Sequence, residues 1–129
     1  MNDTIKEFFR QWLIKAQEDW DTVEILIAQE NPPKGTVCFH CQQCIEKLLK
    51  AILVREQIEF PKTHDIGRLI ELVHDYVPGV TEFLPHAKKL SVHGVNSRYP
   101  DEAIEVSTAD MKQIFDITEK LRQIILKAT

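Results

Sequence analysis

Several protein classes are excluded by what this sequence has little of. It has only three cysteines among 129 residues, an odd number gathered at Cys38, Cys41 and Cys44, so no disulfide framework is expected. Four glycines and six prolines are too few for collagen-like or linker-rich organisation. No apolar run is long enough for a transmembrane helix. The start, Met1 to Glu7, lacks the apolar stretch of a signal peptide, so a cytoplasmic location is the expectation. A strong basic excess, the usual mark of a general nucleic-acid binder, is also missing, because the net charge is -4. No G-x-G-x-x-G, P-loop, H-E-x-x-H or G-x-S-x-G motif occurs, which argues against the common self-sufficient nucleotide hydrolases. No cofactor is expected.

What remains is an ordinary globular balance, 43% hydrophobic and 28% charged, in a length that suits one domain over residues 1–129. Charge is uneven along it. Residues 1–33 carry three basic and seven acidic side chains, residues 34–98 nine and seven, residues 99–129 four and six. A local basic pocket in the middle segment is compatible with this distribution.

The apolar pattern is helical nearly throughout. Phe9, Trp12, Ala16, Trp20, Val23 and Ile27 recur at three- and four-residue steps, predicting a first helix over 4–29 that Asn31-Pro32-Pro33 ends. Cys41, Ile45, Leu48 and Ile52 predict a second over 36–57, beginning just after Gly35. Ile66, Leu69, Ile70 and Val73 predict a third over 65–77, capped by Thr63 or Asp65 and stopped by Pro78-Gly79. A fourth over 80–93 contains Pro85, which requires either a helix start near it or a kink. Residues 94–106 read as a loop. Ser107 or Thr108 then caps a final helix, with Asp110 in its first turn. Nothing reads as a strand. The expected fold is an all-α up-and-down bundle of about five helices.

Five features bear on chemistry. The C-x2-C-x2-C of Cys38, Cys41 and Cys44 resembles part of a cluster motif, but it lies in a helical pattern that fans the three thiols around the surface, so burial is expected and no metal site. Gln43, Glu46, Lys47 and Lys50 form a polar stripe on the second helix, readable as a solvated face with a Glu46–Lys50 pair or as lysine charges offered to phosphate. His64-Asp65 is a helix cap or a pocket-rim histidine. Arg68 and His74 satisfy R-x5-H, a spacing compatible with a metal-independent ribonuclease, yet six helical residues leave them about 120° apart. Ser97-Arg98-Tyr99-Pro100-Asp101 joins a phosphate-capable arginine to a ring able to stack on a base; alternatively, Tyr99 plugs the bundle end.

Together these pieces resemble a known family. Val37 to Leu53, with Gln42-Gln43 followed by Glu46-Lys47 and Lys50-Ala51, resembles the HEPN-domain pattern of paired glutamines and E-K-x-x-K-A. Pro61-Lys62-Thr63-His64-Asp65 resembles its P-x-T-H-D, Ser97 to Asp101 its R-Y-P-D loop, and Ala16 to Trp20 its first helix. The resemblance implies a helical bundle, commonly a homodimer, often paired with a small nucleotidyltransferase protein as a toxin–antitoxin module. Carried over by motif position, the ligand-binding candidates are Gln43, Glu46, Lys47, Lys50, His64, Arg98 and Tyr99. HEPN ribonucleases carry R-x4-6-H near the start of a late helix. Here no histidine follows His93, and Arg68/His74 sits in the third helix, so a nucleotide- or substrate-binding subunit that is not itself an enzyme is the expectation. A ribonuclease toxin using Arg68 and His74, and a helical interaction module whose first-helix tryptophans meet a partner, are the alternatives.

Overall fold

The computed structural model describes residues 1–94 and 105–129. Among them, five α-helices and one 3-10 turn carry the chain, and no strand occurs. They are α1 (Asp3–Ile27), α2 (Lys34–Arg55), α3 (Ile66–Val73), the turn Val80–Phe83, α4 (Leu84–Ser91) and α5 (Thr108–Lys127). The expected helical bundle is therefore the observed fold.

Its organisation follows from α2. This helix buries residues on nearly every side, among them Val37, Cys41, Ile45, Leu49 and Leu53. A helix apolar most of the way round cannot sit on a surface. Accordingly α2 runs through the centre and touches α1, α3, α4 and α5, with α1 packed along its length. The short link of residues 28–33 makes α1 and α2 antiparallel neighbours. α1 is amphipathic and buries only one edge, Phe9, Ala16, Asp19, Trp20 and Val23. Trp20 stacks on Phe115 of α5 with ring centroids 5.5 Å apart, closing the α1–α5 seam. Trp20 thus belongs to the core, whereas Trp12 is half-buried.

Local chemistry sets the helix ends. Asn2 caps α1 by accepting from the Ile5 amide at 2.9 Å. Asp65, rather than Thr63, caps α3, and Ser107, rather than Thr108, forms a reciprocal capping box with Asp110 on α5. Boundaries depart from expectation in four helices, the fourth being shortened to Leu84–Ser91 with residues 80–83 forming the 3-10 turn. α1 stops at Ile27, several residues before the prolines. α2 starts at Lys34, because Pro33 stands at its N-cap and fixes an extended conformation there, leaving Gly35 inside the first turn. α3 ends at Val73, ahead of Pro78. Pro85 lies in the first turn of α4, where its missing N–H costs nothing, so no kink is needed. α2 ends in a Schellman motif: Ile58 N–H donates to Leu53 O and Gln57 N–H to Val54 O, with Gln57 at φ 56°. The loop expected over 94–106 falls largely outside the described residues.

Candidate functional site

The polar stripe of α2 does not face open water. Glu46 and Lys50 are 4% and 8% exposed, and Gln42 is fully buried. α1 and the segment before α3 close over the stripe and supply its partners.

One network centres on Glu46. Its carboxylate accepts from Lys50 Nζ at 3.0 Å, from Gln42 Nε2 at 3.0 Å and from His64 Nδ1 at 2.7 Å. Burial acts to raise the Glu46 pKa, but the hydrogen bonds from Gln42, His64 and Lys50 outweigh it and hold the carboxyl below its ordinary value. Glu46 is therefore ionised at neutral pH. An ionised carboxylate only accepts, so the hydrogen of a neutral His64 ring sits on Nδ1 and Nε2 keeps a free lone pair. The His64 side chain is 56% exposed, and its anchor is 6% exposed. This is an imidazole oriented from behind and open in front.

Lys50 is not a free charge. Its ammonium also lies 5.8 Å from the ring centroids of Trp12 and Phe60. It neutralises Glu46 from inside the fold. A second network lies on the α1 side, where Asp19 accepts from Lys47 Nζ at 2.6 Å and from His40 Nδ1 at 2.8 Å. Asp19 is 9% exposed at its side chain, against 24% for Lys47 and 26% for His40. Gln43 lies between the networks and donates to Gln42 Oε1 at 2.8 Å.

Five of the sequence candidates, Gln43, Glu46, Lys47, Lys50 and His64, thus lie along one face of the bundle. Arg98 and Tyr99 lie outside the described residues. Sequence reading missed Asp19, His40 and Gln42. Gln42 and His40 were visible beside the stripe, but Asp19 is distant in sequence and nothing in its helical spacing marks it. Arg68 and His74 do not form a site together. Arg68 pairs with Glu71 at 3.7 Å, while His74 bonds the Glu71 carbonyl and Asp75, both residues being exposed. The three cysteines are buried and free. Burial raises their thiols to about 11 at Cys38 and about 12 at Cys41 and Cys44, which removes them from nucleophilic chemistry. No cluster of three or more metal-ligating groups occurs among the described residues, and no described helix is long and apolar enough to cross a membrane.

Fold and site define an all-α bundle with a histidine anchored to a carboxylate of its central helix. The HEPN domain matches residues 9–128, and the chain belongs to that family. A Methanocaldococcus jannaschii protein named "Putative toxin MJ1304" is 24% identical over 101 residues, spanning 74% of this chain and 65% of that protein, just under two thirds of its length. The crystal structure of ST0689, described as an archaeal HEPN homologue, superposes with a TM-score of 0.67 at 22% identity, covering 94% of this chain and 98% of that one. These matches overturn the expectation that the chain is not an enzyme. The finding that does so is the match to a relative named as a toxin, together with membership of the HEPN family. The expectation rested on the missing late-helix R-x4-6-H, and a missing motif does not exclude an acid–base group supplied from elsewhere in the chain.

Proposed function

We propose that this chain is the toxin-side member of a toxin–antitoxin module and cleaves RNA without a metal, with His64 moving the proton. The observation that carries this reading is the 2.7 Å bond from His64 Nδ1 to the nearly buried Glu46 carboxylate, which leaves Nε2 open. His64 Nε2 takes the proton of a 2′-hydroxyl. The 2′-oxygen then attacks the neighbouring phosphorus, the bond to the 5′-oxygen breaks, and that oxygen is protonated by water. The product is a 2′,3′-cyclic phosphate. Gln43 and the partly exposed Lys47 donate hydrogen bonds to the substrate phosphate. Glu46 and Lys50 act behind the imidazole. The assignment of Arg98 and Tyr99 to phosphate and base contacts rests on sequence alone, and Arg98→Ala tests it by nucleotide titration.

The test is RNA incubated with purified protein in EDTA. Cleavage leaving cyclic phosphate ends is expected, with all-DNA strands untouched because they lack the 2′-hydroxyl. General-base loss in His64→Ala should slow the reaction about 10²- to 10⁴-fold. An unchanged rate in His64→Ala, or cleavage of DNA, would refute the assignment.

The partners proposed are a second copy of this chain and a small nucleotidyltransferase protein in the antitoxin role, both acting in the cytoplasm. An apolar groove between α1 and α5, lined by Leu13, Ile14, Leu48 and Leu126 with Arg122 at its edge, supports the homodimer. Light scattering should give twice the chain mass, and Ile14→Glu should give a monomer. Co-purification of the nucleotidyltransferase with the tagged chain tests the second partner.

A further inference from the structure

The grip on His64 extends beyond Glu46. Gln42 has no exposed surface. Its Nε2 donates to Glu46 Oε1 at 3.0 Å and to the His64 carbonyl at 3.1 Å, and its Oε1 accepts from Gln43. Only one amide orientation allows this, since a flipped amide would set its oxygen against two acceptors. Behind Gln42 stands Gly94, at the end of α4. A Cβ built there would lie 2.8 Å from Gln42 Nε2 and 3.0 Å from both Gln42 Cδ and His64 Cβ. Gly94 does not have the positive φ of Gly79, so space and not backbone conformation demands glycine here. The α4 end is itself fixed: Gly94 N–H donates to Ser91 O at 2.9 Å, and Ser91 Oγ accepts from Ile66 N–H at 2.8 Å. The chain at His64 and just after it is thus tied to α2 and α4.

We propose that Gly94 and Gln42 are positioning residues for His64: the bare backbone at Gly94 presses the Gln42 amide into the one pose that holds both the Glu46 carboxylate and the His64 main chain. This rests on the reading of His64 as the proton-moving group. Any side chain at position 94 must displace Gln42 or His64, and an imidazole shifted by about 1 Å loses on the order of a hundredfold in rate.

The experiment compares wild type, Gly94→Ala, Gln42→Asn and Gly35→Ala. The Gly35 site has nothing within 4 Å of an added Cβ and serves as the control. Two quantities are read: RNA cleavage, and the NMR chemical shifts of the His64 ring at one fixed pH, which need no substrate. Gly94→Ala and Gln42→Asn should each move the His64 ring resonances and lower kcat about a hundredfold with little change in KM. Gly35→Ala should do neither. If Gly94→Ala fails to fold by circular dichroism, Gln42→Asn decides alone, since it adds no atoms. Wild-type His64 ring resonances and a wild-type kcat in the folded variants would overturn the proposal. Displaced His64 ring resonances in protein whose wild type cuts no RNA would sustain the positioning role and remove the ribonuclease reading.

Discussion

Removing the Glu46 carboxylate tests whether the buried stripe of α2 works as a unit. The side chains of Glu46 and Lys50 are 6% and 10% exposed, and Nζ sits 3.0 Å from the carboxylate. Glu46→Ala would strand the ammonium between Trp12 and Phe60 with no counter-charge, and would release Gln42 and His64. Breaking a buried pair from one side costs about 3–5 kcal/mol, a large share of the roughly 5–15 kcal/mol that holds a domain together. With a urea dependence of about 2 kcal/mol per molar, the midpoint should fall by roughly 1.5–2.5 M. The double variant Glu46→Gln/Lys50→Met should recover most of that loss, because it removes both charges and their desolvation cost together. Acid gives an independent check. The folded pKa of Glu46 is depressed, so its stabilisation is present above the ordinary carboxylate range and is lost as pH falls through the lower folded value. The wild type should therefore weaken with acid more steeply than the double variant. The refuting result is a Glu46→Ala midpoint within about 0.3 M urea of wild type, well below the shift expected for an orphaned buried charge.

Other perturbations have equally definite outcomes. Gln57 occupies a left-handed position at φ 56° in the α2 Schellman motif, so Gln57→Gly should gain about 1 kcal/mol in thermal or urea unfolding; a loss would mean its side chain holds an unrecognised contact. Ser107→Ala removes the capping box that opens α5 and should cost about 1 kcal/mol, measured against Thr108→Ala as a control at the neighbouring position. Cys38, Cys41 and Cys44 should resist a thiol reagent at pH 8 in the native state and react once urea unfolds the chain; rapid native labelling would contradict their burial and raised thiols.

The helices were legible because their causes are local. A 3.6-residue apolar period, a capping serine and a proline that ends a ladder act within a few residues, so the positions of all five α-helices follow from the chain itself, apart from displaced ends. The resemblance of Gln42 to Ala51 and of Thr63 to Asp65 pointed to the family for the same reason, since each pattern is contiguous. The site was only half legible. That Gln43, Glu46, Lys47 and Lys50 share a face follows from their spacing. Whether that face meets water does not, because it depends on what packs over it. A solvated stripe and a buried one have the same period.

Tertiary structure made that decision. Trp12 and Phe60 close around Lys50, Asp19 arrives from α1 between His40 and Lys47, and Gly94 arrives from α4 against Gln42. Each is far from its partner in sequence, so no spacing rule connects them. Their arrival turns Lys50 from a candidate phosphate ligand into the buried partner of Glu46, pairs the partly exposed Lys47 with Asp19, and turns His64 from a helix-cap neighbour into an anchored imidazole. The sequence by itself determined where the helices form and which residues share a face. Only the folded arrangement decided which of those residues remain open to a ligand, because desolvation and pairing are properties of neighbours that the chain brings together from a distance.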